Sequence, residues 1–182
     1  MAGLDQPTLE ALYERLETSL YNVVYRWVWD PEEARDLVQE AFLRLWGARE
    51  RVVLATVEPL AYRIAVNLAS NRRRQRRRWA WLGLGDDDPL APPGADGPAD
   101  AETEALARER CLALRRAVDA LPERLRRVVL LTEFSELSYA QVAAALGIPP
   151  GTVGSRRNQA LALLRERLGA LLETRDSAGG LP

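Results

Sequence analysis

The chain has 182 residues, 47% of them hydrophobic, and a net charge of −1 from 25 basic and 26 acidic side chains, enough for one medium domain or two small ones. All its basic residues are Arg, with no Lys and no His; this excludes His-dependent acid–base chemistry and His-ligated metal, and the single Cys111 excludes a disulfide framework or a Cys-based zinc site. No apolar run approaches the ~20 residues of a membrane span, and "MAGLDQPTLEAL" lacks the basic flank and apolar core of a signal peptide, so a cytoplasmic protein without membrane insertion is expected.

Leu9, Leu12, Tyr13, Leu16, Leu20, Val23, Val24 and Trp27 recur at three- and four-residue spacing, which predicts a first amphipathic helix. It breaks at "DPEE": Asp30 suits an N-cap, Pro31 the first helical position, and Glu32 and Glu33 the positive end of the dipole. The second helix turns Ala34, Leu37, Val38, Ala41, Phe42 and Leu45 inward. Its other face carries Asp36, Gln39, Glu40 and Leu43, read from pattern alone as a solvated surface. After the looser "GARERVVLATVE", a third helix is expected to open at Pro59 with Leu60, Ala61, Ile64, Ala65 and Leu68 inward. Arg63, Asn67, Asn71, Arg74 and Arg78 form a polar stripe on another side, suited to hydrogen bonding with the base edges of an unpaired strand. That helix ends in six arginines within seven residues, Arg72, Arg73, Arg74, Arg76, Arg77 and Arg78. Mutual repulsion makes a purely structural role a poor account of them, whereas a polyanion relieves it and releases counterions. Trp79 and Trp81 are expected to cap the core of this half.

Charge then changes sign. Residues 1–85 carry 13 Arg against 11 acids, residues 86–104 seven acids and no base, and residues 105–182 12 Arg against eight acids. "DDDPLAPPGADGPADAETE" is too rich in Pro, Gly and Asp to bury a core, and a tether is expected over 80–105. A helix from Ala105 to Leu121 follows, in which Cys111, beside the periodic Leu106, Leu114 and Val118, is expected to be a buried thiol. Pro122-Glu123 starts another helix with Leu125, Val128, Val129 and Leu131 apolar. In "LSYAQVAAALGIPPGTVGSRRNQALALLRERL", Ser138 and Gln141 fit a capping box and Gly147 a left-handed terminus. A second helix begins near Gly151 or Thr152, with Val153, Ala160, Leu164 and Leu168 inward. Thr152, Ser155, Arg156, Arg157 and Gln159 lie on its early turns. Periodicity alone suits an ordinary helical hairpin and a DNA-reading helix-turn-helix equally; the Gly-Thr-Val start directly after the turn favours DNA. The class expected is all-α, two small helical domains, 1–79 and 106–182, joined by the acidic tether.

"PEEARDLVQEAFLRLW", "YRIAVNLASNRRR" and "LPERLRRVVLLTEFSELSYAQVAAALGIPPGTVGSR" resemble the signature stretches of extracytoplasmic-function (ECF) sigma factors, the smallest sigma-70-type bacterial initiation factors. The resemblance covers most of residues 8–170. It implies a protein that is not an enzyme, needs no cofactor or metal, and directs core RNA polymerase to promoter DNA, touching the clamp helices and the flap. It implies that Asp36, Gln39, Glu40 and Leu43 face polymerase, revising the solvated reading, and that Asn67 lines a pocket for a flipped-out −10 base. Arg63, Asn71, Arg72, Arg73, Arg74, Arg76 and Arg77 would lie along the −10 side. Thr152, Ser155, Arg156, Arg157 and Gln159 would serve the −35 side. Many members of the family are held inactive by an anti-sigma factor, so such a partner is also implied. The chain departs from the family pattern at Gly154, Gln159 and Leu161, usually basic, and at Arg157, usually apolar. The alternatives are a stand-alone helix-turn-helix regulator and a sigma-like module that occupies polymerase without reading DNA.

Overall fold

The computed structural model describes residues 4–82 and 101–178, with side chains over 4–82 and 105–169. Every secondary element among the described residues is helical. Helix α1, Gln6–Val28, opens on the side chain of Asp5, which accepts from the Thr8 amide at 3.0 Å. Helix α2, Pro31–Gly47, opens as expected on Asp30, whose carboxylate accepts from the Glu33 amide at 2.9 Å. Between them Trp29 takes the left-handed conformation, φ 56°, and its amide closes the end of α1 on the Tyr25 carbonyl. Two short 3-10 turns, Arg49–Arg51 and Leu54–Thr56, lead into α3, Val57–Trp81. This helix begins two residues before Pro59; the proline sits in the first turn, where no intrahelical amide bond is lost. The three helices pack on one another around Leu20, Val23, Trp27, Leu37, Leu45, Tyr62 and Val66.

The second half contains α4 (Ala101–Asp119), α5 (Glu123–Phe134), α6 (Tyr139–Leu146) and α7 (Pro150–Ala178). Helix α4 starts inside the stretch expected to be tether, because Ala-Glu-Thr-Glu-Ala combines good helix formers with carboxylates at the positive dipole end. At the other end of that stretch, residues 80 and 81 belong to α3, and residues 83–100 lie outside the described residues. The capping box is present: the Gln141 amide donates to Ser138 Oγ, and the Ser138 amide to Gln141 Oε1. Gly147 is left-handed, φ 65°, and Pro150 occupies the first turn of α7. Val153 and Ala160 are buried against α5 and α6, with Leu164 partly buried beside them.

Two expected burials do not occur. Cys111 is exposed: the stripe that α4 turns toward α7 ends in Ala117 and Val118, and Leu114 lies outside it with Cys111. Trp79 and Trp81 do not cap the core and are 51% and 84% exposed. They lie in the last turns of α3, where every residue from 74 to 82 is exposed. The two halves also meet. Helix α3 lies against α6 and α1 against α5, and the buried apolar residues of both halves form one contiguous cluster.

Candidate nucleic-acid interface

The outer face of α2 is laid out by its inner one. With Leu37, Val38, Ala41, Phe42 and Leu45 buried, Asp36, Gln39, Glu40 and Leu43 fall one helical turn apart on the opposite side. Asp36 and Gln39 are exposed, Glu40 accepts from Arg44 at 2.6 Å, and Leu43 is 71% exposed. A large apolar residue thus stands exposed among carboxylates and an amide.

The arginine run divides into three groups. Arg72 and Arg76 reach back to the first turn of α2: Arg72 Nη1 lies 3.5 Å from Glu33 Oε1, and Arg76 Nη2 lies 2.8 Å from Glu33 Oε2 and 3.6 Å from Asp30 Oδ2. Arg76 also donates to the Val28 carbonyl at 3.1 Å. Glu33 Oε2 makes no aligned hydrogen bond, so its pair with Arg76 is a contact of charges. Burial raises the Glu33 carboxyl above its ordinary value, outweighing the two guanidiniums. Arg73 crosses to α4, with Nη1 3.0 Å from Asp119 Oδ1 and Nη2 donating to the Asp119 carbonyl at 2.9 Å. Arg74, Arg77 and Arg78 face outward, Arg74 donating to Asn71 Oδ1 at 2.8 Å. Arg77 and Arg78 have no ion-pair partner among the described residues. Three of the six arginines are therefore held by carboxylates of this chain, and three present charge to solvent.

The polar stripe of α3 is in place and exposed, and two of its residues, Arg63 and Asn67, hydrogen-bond to the second half. Arg63 Nε donates to the Ala145 carbonyl at 2.8 Å and its Nη2 to the Ala144 carbonyl. Asn67 Oδ1 accepts from Arg127 Nη1 at 3.0 Å, and the buried Ser70 donates to Glu123 Oε1 at 2.6 Å. Asp119, Glu123 and Arg127 were not expected at this surface. Their i, i+4 relation across the α4–α5 turn is an ordinary pattern, and nothing in the sequence links it to residues some 50 positions earlier.

On α7, Ser155 and Gln159 are exposed, while Thr152, Arg156 and Arg157 are half-buried. Arg157 is engaged by this chain itself: its Nε donates to Glu133 Oε1 of α5 at 2.6 Å. The Arg that stands at a usually apolar position thus still ties α7 to α5, through charge instead of packing. Gly154 lies beside Tyr139, whose ring is 3.9 Å from where a Cβ would stand. Arg156 is left as the basic group of the first two turns without a carboxylate partner among the described residues. No helix among the described residues is long and apolar enough to cross a membrane, and no group of three or more potential metal ligands comes together among them.

The family described as sigma-70 region 2 matches residues 12–79, from α1 to the end of the arginine run. Sigma-70 region 4 matches residues 111–164, which contain the helix-turn-helix. The chain is 32% identical over 177 residues to the ECF RNA polymerase sigma factor SigL of Mycobacterium tuberculosis, covering 96% of each. It is 30% identical over 164 residues to the ECF RNA polymerase sigma factor SigE of Mycolicibacterium smegmatis, covering 89% of this chain but spanning only 62% of that relative's length. The sigma factor RpoE of Bartonella quintana, solved with the anti-sigma factor NepR, has the same fold at a TM-score of 0.64 and 21% identity, over 88% of this chain and 98% of that one. With both sigma regions in order, and a full-length likeness to SigL, the chain belongs to the ECF sigma factors of the sigma-70 family.

Proposed function

We propose that this chain binds core RNA polymerase and directs it to a set of promoters, helping to separate the strands at −10. Residues 1–79 form the unit that docks on the polymerase clamp helices through Asp36, Gln39, Glu40 and Leu43. The same unit takes the unpaired −10 strand on Arg63, Asn67, Asn71 and the arginines of α3. The acidic stretch between α3 and α4 is the tether. Residues 106–182 read the −35 element with Thr152, Ser155, Arg156 and Gln159 and touch the flap, while Arg157 braces α7. The observation that carries this reading is the order of the two sigma regions along residues 12–164. No step of it is chemical: a surface that prefers separated strand to duplex shifts melting toward the open state by that difference in affinity. A negative regulator of the anti-sigma class is part of the reading, supported by the relative solved with one.

Mixing the full chain with bacterial core polymerase and a promoter library, then mapping start sites, tests it. Starts confined to a subset of promoters are expected. In the same assay Asn67→Ala is expected to reduce open complexes while leaving polymerase binding unchanged. Duplex binding without polymerase and without new starts would instead identify a stand-alone regulator.

A further inference from the structure

Of the chain's five tryptophans, three are held within the fold. Trp27 is buried, Trp29 donates its indole N–H to Asp119 Oδ1 at 3.3 Å, and Trp46 has the Arg49 guanidinium 4.6 Å from its ring. Trp81, the last residue of α3, is 84% exposed, and among the described residues no aromatic ring or guanidinium stacks on it. A single exposed apolar residue needs no explanation by itself, but the setting of this one does. At about 100° per residue, Trp81 falls between Arg77 and Arg78 around the helix, in line with Asn67 and Arg74. Helical side chains lean toward the N-terminus, so the indole stands over the turn that carries Arg77 and Arg78. Both arginines are exposed and have no ion-pair partner among the described residues. The polar stripe of α3 thus ends in an aromatic face set among unpaired positive charges. Trp79, about 200° away around the helix, faces the other side, with Arg72 and Arg76.

We infer that Trp81 is a stacking platform for one unpaired base of the separated strand, with Arg77 and Arg78 on the flanking phosphates. A cationic surface with an aromatic face suits a single strand, because every unpaired base offers a π face and every linkage a charge. A duplex offers no such face, since its bases are covered by their neighbours. A bilayer fits less well: Trp79 and Trp81 lie on opposite sides of α3 and do not form one apolar face that could enter it. The inference rests on the reading of α3 as the −10 surface and extends it. Asn67 and Trp81 stand about 21 Å apart along the helix axis, so they take different bases. The strand is then gripped at two points. Asn67 contributes choice of base, and Trp81 contributes affinity that tolerates any base, because stacking does not read base edges.

The test uses the full chain without polymerase, as wild type, Trp81→Ala, Trp81→Phe and Trp79→Ala. Anisotropy is read across a salt series for a fluorescein-labelled single-stranded 12-mer of mixed sequence and for its duplex, with co-sedimentation on phosphatidylglycerol vesicles beside it. Trp81→Ala is expected to bind the single strand about tenfold more weakly, the loss of one base–aromatic stack, at an unchanged salt slope, since no charge is removed. Trp81→Phe should keep most of the affinity, Trp79→Ala should follow wild type, and duplex binding should not change in any variant. Unchanged single-strand affinity in Trp81→Ala, an equal loss in Trp79→Ala or on duplex, as large a loss in Trp81→Phe, or no single-strand binding by wild type would each overturn the proposal. Vesicle binding that Trp81→Ala abolishes at unchanged strand affinity would overturn it in favour of a lipid surface. Absence of promoter-specific starts from wild type with polymerase would overturn the functional reading instead, a result on which the strand affinities do not depend.

Discussion

Gly147 sits at φ 65° with nothing within 4 Å of where a Cβ would stand, so what a side chain meets there is its own backbone and no neighbour. The left-handed turn ends α6 with the Gly147 amide on the Ala143 carbonyl and the Ile148 amide on the same oxygen at 3.1 Å, and it sets the direction in which α7 leaves. Gly147→Ala is expected to lower stability by about 1–2 kcal/mol, read as a shift in the urea midpoint at unchanged slope. A loss near zero would show that the turn relaxes to another conformation. This residue was legible from sequence because its reason is local, as were Asp30, Ser138 and Gln141. Cys111 was not: its neighbours in the sequence are apolar, and only the narrowness of the α4–α7 contact decides that it faces water.

At the scale of the element, α3 shows how far a charge run can be read. The sequence identifies the arginines as a patch, since six in seven residues need an anion. It does not identify which anion each one meets. Position around the helix decides: Arg72 and Arg76, four apart, face the carboxylates at the start of α2, whereas Arg74, Arg77 and Arg78 share the outward side. The two groups are therefore expected to fail differently. Replacing Arg74, Arg77 and Arg78 by Ala should leave thermal stability near wild type and reduce the salt dependence of promoter-complex formation by up to about one unit of slope for each phosphate no longer neutralised. Replacing Arg72 and Arg76 by Ala should lower the melting temperature, because Glu33 is left partly buried without its counter-charges. Parallel salt slopes for the first variant and wild type would remove the outward arginines from DNA contact. The end of the element was also unread: the pattern places a tryptophan cap at the end of α3, and the fold leaves Trp79 and Trp81 exposed there.

At the scale of the whole molecule, the contact between the halves was invisible to local pattern, because each of its groups is an ordinary surface residue on its own helix. It has a pH dependence with a definite sign. Glu123 faces Ser70 and Arg74 of α3 and Arg127 of its own helix. Burial pushes its carboxyl up, but the Ser70 hydroxyl and the Arg127 guanidinium outweigh that and bring it below the ordinary 4.5. Its stabilisation of the interface is thus fully present above that value and lost as pH falls through the lower folded value. Glu33, inside the first half, runs the opposite way: its folded value is raised above 4.5, so the cost of holding it ionised is relieved as pH falls through that raised value. Acid should loosen the junction between the halves before it harms α2 and α3. A comparison of wild type with Glu123→Gln isolates the carboxylate, since every other titrating group is common to both. The variant is expected to be the more expanded of the two at neutral pH by scattering radius. That difference should close as pH drops below the ordinary carboxylate range, where wild type loses the same charge by protonation. Radii that coincide at neutral pH, or that stay apart in acid, would mean that ionised Glu123 does not hold the halves together, a task then left to the shared apolar cluster and the Arg63 and Arg73 contacts.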